Sequence, residues 1–281
     1  MAAAFTSSGT ITASAAQFTA AADVPANLHQ IADLTARAKG AGADLVVFPE
    51  AAMFEWAASG SDIARAADEH GQEFGDQVAQ IAATEAMTIV AGAFLRDEQG
   101  NIRNSMLAYG PEGRLLGRYD KIHLYDAFHY RESDKITAAR PDGQGGELAL
   151  IPCGPFTFGL VNCYDLRFPE FTRALIDAGA NSLLVSSAWV SGEHKALHWE
   201  TLLRARAIEN TVYIAASNQP GPGSVGLSMV MDPMGLTLDS CGTDEAGLAT
   251  GELRTARLDE VRATVPSLQH RRYDVVPRLA S

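Results

Sequence analysis

Cys163 stands between an apolar, β-rich run, Phe156 to Val161, and a helix-like pattern, Phe171, Leu175, Ile176, that starts just past Pro169. A thiol at a strand-to-helix turn meets exposed backbone N–H groups and the positive end of a helix dipole, and both favour a thiolate. Two other segments supply partners for such a nucleophile: Val46-Val47-Phe48-Pro49-Glu50 and Tyr119-Asp120-Lys121-Ile122-His123-Leu124. Thiol-based hydrolysis of a carbon–nitrogen bond needs a nucleophile and a base that takes its proton and later activates water. It also needs a cation or an N–H pair for the tetrahedral oxyanion. Glu50 is the candidate base, because it ends a buried strand-like run, where partial desolvation raises a carboxyl from about 4.3 toward neutrality. Lys121 is the candidate fixed positive charge. All three residues lie at or just beyond the ends of strand-like runs, where sheet proteins gather their active groups.

The elements that must position them alternate along the chain. Thr10 to Phe18 reads as a strand, and Asp23 with Pro25 as the start of a helix in which Leu28, Ile31, Leu34 and Ala38 recur until Gly40. Leu45 to Phe48 is a short buried strand, Val78 to Ala86 is helical in pattern, and Met87 to Phe94 is β-rich. Asn104 to Tyr109 and Arg114 to Tyr119 flank Gly110-Pro111-Glu112-Gly113, a hairpin signal; Leu148 to Ile151 and Phe156 to Val161 bracket a similar turn. Beyond the cysteine come a helix, a strand from Leu183 to Ser187, a helix from His198 to Asn210 and a strand from Val212 to Ala216. Ser228 to Met231 with Leu248 to Leu253 reads as another hairpin-type pair, and Leu258 to Val265 as a short helix. No internal repeat or low-complexity linker divides the chain, so the expectation is one α/β layered domain over residues 10–276, with mixed sheets and hairpins. Residues 1–9 read as a disordered lead-in and 277–281 as a tail.

Composition narrows the function. The chain has 281 residues, 47% hydrophobic and 20% charged, as a folded soluble protein does. Its formal charge of −12 disfavours nucleic acid and anionic membrane as partners. Three cysteines, Cys153, Cys163 and Cys241, form neither a CxxC pair nor an even framework, which fits a cytoplasmic protein with reduced thiols. No positive residue precedes Arg37 and no long apolar run is present, so neither a signal peptide nor a membrane span is expected.

In these motifs the chain resembles the nitrilase superfamily of carbon–nitrogen hydrolases, with their Glu–Lys–Cys triad. The similarity extends through Asn162-Cys163-Tyr164-Asp165-Leu166-Arg167-Phe168-Pro169-Glu170, His198-Trp199-Glu200 and Arg204-Ala205-Arg206-Ala207-Ile208-Glu209-Asn210. It continues in Gly226-Leu227-Ser228-Met229-Val230-Met231-Asp232-Pro233-Met234-Gly235 and Arg271-Arg272-Tyr273-Asp274. The resemblance implies an αββα sandwich that pairs with a second copy, a homodimer or larger even-numbered assembly. Helices around Phe168 to Ala178 and His198 to Asn210, with the C-terminal tail, would form its surface. It also implies a thioester acyl-enzyme with no cofactor: Glu50 takes the thiol proton, Lys121 and the backbone N–H of Tyr164 hold the oxyanion, and Glu132 supports the site. The Cys-Tyr-Asp-x-Arg-Phe-Pro-Glu run resembles the amidase branch, omega-amidases and deaminated glutathione amidases, where nitrile-cleaving relatives carry Trp-Glu after the cysteine. The expected substrate is a small carboxamide. An N-carbamoyl amine or amino-acid hydrolase is the enzymatic alternative, and a catalytically idle assembly protein the alternative of another class. Gly226-Leu227 before Ser228, where these amidases usually have Gly-His, and the stretch Ala188 to Ala196 depart from the pattern and leave the acyl group open.

Other residues carry weaker signals. Arg167 could grip a substrate carboxylate or pair with Glu170, three residues on. His194 and His198 have i, i+4 spacing, but no HExxH motif or third ligand accompanies them, so no metal is expected. Gly221-Pro222-Gly223-Ser224-Val225-Gly226 fits GxGxxG, yet a β-type run follows where a dinucleotide fold requires a helix. It reads as a loop beside the active-site mouth.

Overall fold

The computed structural model describes residues 9–141, 145–243 and 245–278; the lead-in up to Ser8 and the last three tail residues lie outside them. Strand β1 (Thr10–Gln17) leads to Asp23, whose side chain accepts from the Ala26 N–H, and Pro25 occupies the first turn of α1 (Val24–Gly40). After β2 (Leu45–Val47), helix α2 (Gly60–Glu85) is far longer than the Val78 to Ala86 pattern indicates. Ahead of that pattern it buries Ile63 and Phe74 but otherwise only Ala66, Ala67, Gly71 and Gly75. A Cβ on Gly75 would stand 2.8 Å from the Tyr109 hydroxyl, so the helix lies too close there for a side chain, and small residues interrupt its apolar stripe.

Strands β3 (Thr88–Arg96), β4 (Ile102–Tyr109) and β5 (Leu115–Asp120) follow, the last two joined by the expected turn. A small hairpin of β6 (Asp126–Ala127) and β7 (Tyr130–Arg131) is new. Its turn residues, Phe128 and His129, adopt φ of 53° and 65°, positions that Asn-Gly would normally announce. Then come β8 (Leu150–Cys153), β9 (Phe156–Asn162), a 3₁₀ turn at Cys163–Arg167, α3 (Pro169–Asp177) and β10 (Ser182–Ser187). Helix α4 (Lys195–Asn210) starts before the expected His198. The chain continues through β11 (Tyr213–Asn218), β12 (Met229–Met231), β13 (Thr237–Ser240), β14 (Gly247–Arg254) and α5 (Thr255–Thr264), which begins ahead of Leu258.

Two six-stranded sheets result, in the orders β14-β1-β2-β3-β4-β5 and β13-β12-β11-β10-β9-β8. Each has a parallel centre, β1-β2-β3 or β9-β10-β11, flanked by antiparallel strands. The expected pairing of Ser228–Met231 with Leu248–Leu253 does not form. Asp232-Pro233-Met234-Gly235 closes β12 against β13, whose exposed residues hide it from a hydrophobicity pattern, while β14 joins the other sheet beside β1 with Thr10 opposite Arg254.

The sheets stack face to face. Ala13, Leu45, Val47 and Val90 from one meet Leu160, Leu183, Val185 and Ile214 from the other, and the same core continues to Leu175 of α3 and Leu203 of α4. On the opposite face of the first sheet, Val46, Ile89 and Ala91 pack under Ile31 and Leu34 of α1 and Phe74 and Val78 of α2. The layers are therefore α, β, β, α, and each such buried aliphatic contributes about 1.5–3 kcal/mol. In the parallel centres, all three strands of a sheet end at the same edge. There the turns after β2 and β9 bring Glu50 and Cys163 together.

Candidate active site

Glu50 follows β2 on a turn that presses against β3. A Cβ on Gly92 would meet the Ala51 nitrogen at 2.5 Å, the Pro49 oxygen at 2.6 Å and the Glu50 Cα at 2.8 Å, so only glycine lets the turn lie there. Ala51 takes φ of 55° to complete it. The Glu50 carbonyl accepts from Gln219 Nε2 at 2.8 Å, and its carboxylate Oε2 accepts from the Ala188 N–H at 2.9 Å. Both donors belong to the second sheet's side of the molecule.

Lys121, just past β5, is 2% exposed and points its ammonium at two carboxylates. Nζ donates to Glu50 Oε1 at 2.6 Å and to Glu132 Oε2 and Oε1 at 2.9 and 3.1 Å. Glu132 comes from the 3₁₀ turn after β7, and its Oε2 also accepts from the Tyr125 N–H at 2.7 Å. The compact loop thus brings Glu132 beside Lys121 and Glu50. Asn104 of β4 links the two acids, donating from Nδ2 to Glu50 Oε1 at 2.8 Å and Glu132 Oε1 at 3.0 Å. Its Oδ1 accepts from Asn162 Nδ2, beside the cysteine, at 2.9 Å. Sequence reading passed over Asn104 as an ordinary strand residue. A buried amide among apolar strand neighbours was the signal available.

Charge states follow from this cluster, and one differs from expectation. Burial pushes the Glu50 carboxyl up, but the Lys121 ammonium, its hydrogen bond, the Cys163 thiol and the Ala188 N–H outweigh burial and hold it below its ordinary 4.5. Desolvation therefore does not bring Glu50 toward neutrality; it is an ionised acceptor. For Lys121, burial works against the charge, yet Glu132 and Glu50 raise it well above its ordinary value.

Cys163 opens the 3₁₀ turn with φ of 50°, so the sharp strand-to-helix transition is present. A resting thiolate is not. Burial, followed by the Glu50 charge, raises the thiol well above its ordinary value, and Lys121 opposes this only in part. Two carboxylates and one ammonium leave the cluster with a net charge of −1, and losing the thiol proton to bulk water would make it −2. Passing that proton to Glu50 keeps the total unchanged.

Arg167 does not pair with Glu170; among the described residues it forms no ion pair. Its guanidinium lies 4.8 Å from the Trp189 ring centre and 5.7 Å from that of Phe128. Its buried Nε has no hydrogen-bond partner. Beside it is Lys195, absent from the sequence-derived candidates, 4% exposed, with Nζ 3.1 Å from the Tyr125 hydroxyl and 4.1 Å from the Phe128 ring centre. Burial and then Arg167 lower its pKa, and no carboxylate among the described residues pairs with it. Both cations line the pocket that Glu50, Lys121, Cys163 and Tyr164 also line. His198 turns its Nδ1 to Arg167 Nη2 at 3.4 Å, and His194 precedes α4 with Nε2 3.3 Å from Glu193. Among the described residues no group of three or more His, Cys, Asp or Glu side chains could hold a metal. The glycine-rich segment is a loop whose Ser224 bridges Val190 of the pocket wall.

Known proteins resemble this chain over most of its length. The deaminated glutathione amidase of Escherichia coli O157:H7 is 33% identical over 272 residues, covering 92% of this chain and 96% of that protein. The 2-oxoglutaramate amidase of Bacillus subtilis is 33% identical over 240 residues, 83% of this chain and 86% of that protein. Among solved structures, a glutamate-to-glutamine variant of an amidase from Nesterenkonia sp. AN1 superposes with a TM-score of 0.78 at 26% identity, over 93% of this chain and 94% of that one. That amidase shows covalent addition of the acetamide moiety of fluoroacetamide at its active-site cysteine. The family model described as carbon-nitrogen hydrolase matches residues 12–263, and the chain belongs to that family of enzymes.

Proposed function

We propose that this hydrolase is an amidase that cleaves a small carboxamide bearing a carboxylate on its acyl side. One observation carries the reading: a single pocket brings Cys163 and the Glu50–Lys121–Glu132 cluster together with two cations, Arg167 and Lys195, that have no acidic partner among the described residues. A buried lysine and a half-buried arginine without counter-charges await an anion. The E. coli relative, named for deaminated glutathione, and the B. subtilis relative, named for 2-oxoglutaramate, support the same substrate class.

The reaction follows from the charges. Glu50 takes the Cys163 proton as sulfur attacks the amide carbon, and the negative charge moves to the carbonyl oxygen. The Lys121 charge and the Tyr164 N–H, which lies in the first turn of the 3₁₀ segment and has no partner within it, stabilise that oxygen. All three Lys121 donors face carboxylate oxygens, so its help is electrostatic unless the 3.1 Å bond to Glu132 is released. Protonated Glu50 then gives its proton to the departing nitrogen, ammonia leaves, and a thioester remains. Water, deprotonated by Glu50, attacks the thioester and frees the carboxylic acid and the thiol.

Ammonia release from omega-amides of dicarboxylic acids, length-matched neutral amides, N-carbamoyl compounds and nitriles tests this. The expected order places carboxylate-bearing amides first, with Arg167→Met and Lys195→Met raising KM for them and leaving neutral amides little changed. A preference for neutral amides, or for N-carbamoyl compounds, overturns the assignment.

We further infer a homodimer in a cytoplasmic, reducing setting. Exposed Ile208 of α4 and exposed Tyr273 and Val276 of the tail support a docking face along α3, α4 and the tail, which Arg271 ties to Asp177. Among the described residues no helix is long and apolar enough to cross a membrane. Light scattering at micromolar concentration tests the assembly, and a monomer refutes it.

A further inference from the structure

Asp165 is a fully buried carboxylate that the reaction does not use. Its Oδ2 accepts from the Tyr119 hydroxyl at 2.7 Å and from the Asn162 backbone N–H at 3.0 Å. Its Oδ1 faces His123 Nδ1 at 2.7 Å and the His123 N–H at 3.3 Å. The Tyr119 hydroxyl accepts in turn from the Ile122 N–H at 3.2 Å. Residues 119, 122 and 123 therefore all end on Asp165 or on the phenol bound to it, and Lys121 lies between them. On the other side, Asn162 is the residue immediately before Cys163.

We propose that Asp165 is a positioning residue that locks the Cys163 turn in register with the Lys121 segment through Tyr119 and His123. The two segments leave different sheets, β9 and β5, so nothing in either sheet's own ladder fixes their separation. Cys163 also holds a positive φ, a strained conformation that persists only where its surroundings over-determine it. A carboxylate suits this hub because it only accepts, and all four facing groups can donate. An asparagine would turn an N–H against at least one of them. Burial and the Asp165 charge hold the Tyr119 phenol well above its ordinary pKa, so it remains a donor.

Packing offers a competing explanation for His123, whose ring stacks on Phe168 at 3.9 Å between centres and 11° between planes. Two substitutions separate the two. His123→Phe keeps the stack and loses the donor. His123→Asn loses the stack and keeps an N–H near the Nδ1 position. The inference rests on Cys163 as nucleophile, so Cys163→Ala is the control: turnover in that variant removes the nucleophile, whereas inactivity there leaves this inference to its own variants.

The measurements are kcat and KM per folded molecule, with melting temperature, for His123→Phe, His123→Asn, Tyr119→Phe and Asp165→Asn. A misplacement approaching an ångström costs up to about 100-fold. The expected result is a fall in kcat of about 10- to 100-fold for His123→Phe and Asp165→Asn. Tyr119→Phe should show a smaller fall, KM should barely move, and His123→Asn should recover most of the rate. His123→Phe at the wild-type rate, His123→Asn as slow as His123→Phe, or losses that vanish after correction for folded fraction each overturn the proposal. If Asp165→Asn does not fold, the His123 pair and Tyr119→Phe decide the matter.

Discussion

Replacing Lys121 by Met removes one charge that three carboxylate oxygens share. In the wild type, Nζ lies 2.6–3.1 Å from Glu50 Oε1 and both oxygens of Glu132, and all three side chains are almost fully buried. Methionine fills similar space and leaves two carboxylates linked by Asn104 alone. Removing one partner of a buried ion pair costs about 3–5 kcal/mol, against a total stability of about 5–15 kcal/mol, so the variant should fold but melt lower. The strain is relieved when one acid takes up a proton. The sign of the pH dependence then reverses. Wild-type Glu50, held below its ordinary value, contributes stability above that value and loses it as pH falls through the folded pKa. In the variant, one acid has a folded pKa above its unfolded one, so its stability is present at low pH and is lost as pH rises through the folded pKa. The variant's melting temperature should therefore climb as pH is lowered from 8 toward 5.5, where the wild type's should not. Turnover should fall by at least about 10²–10³-fold, the worth of an oxyanion-stabilising group, and iodoacetamide should alkylate Cys163 more slowly near neutral pH. Melting curves parallel to the wild type across this range, together with wild-type turnover and alkylation, would refute the placement of Lys121 in the mechanism.

Glu50→Gln keeps the shape of the acid but cannot accept a proton. Acylation and deacylation in stopped-flow traces should both slow, by about 10²–10⁴-fold overall, and an unchanged rate would assign the base elsewhere. Cys163→Ala should abolish turnover with the fold intact, while Cys153→Ala and Cys241→Ala should remain active; equal loss from all three contradicts the nucleophile. Gly92→Ala drives a methyl into the Glu50 turn at 2.5–2.8 Å, and the shift of roughly an ångström needed to relieve it should lower kcat by about 100-fold. Wild-type kinetics in that variant would mean that the turn tolerates displacement.

Glu50, Lys121 and Cys163, the three candidate reacting residues, were legible because each lies at or just beyond the end of a strand run, and strand runs show in the pattern of apolar residues. Their charge states were not, since those depend on which groups meet across the sheets: Glu50 was expected near neutrality until Lys121 and Ala188 took their places around it. Lys195 was missed because it begins a helix in a stretch without a familiar motif. The first half of α2 was missed because its buried face is, apart from Ile63, alanine and glycine. The β6–β7 hairpin escaped notice because Phe128 and His129 stand where turn-forming residues would have signalled it.

The crossing of β14 into the first sheet has a consequence for how the protein is made. Until residues 247–254 leave the ribosome, β1 presents an open edge along its whole length, with Ala13 and Ala15 beside unpaired backbone groups. A nascent chain therefore carries a sticky, incomplete layer until the closing strand arrives, after every other strand of the two sheets. Chains cut short before Gly247 should accumulate as aggregates or as clients of chaperones, even though Glu50, Lys121 and Cys163 have all been made. The clasp, far from the chemistry in sequence, decides when the enzyme comes into being.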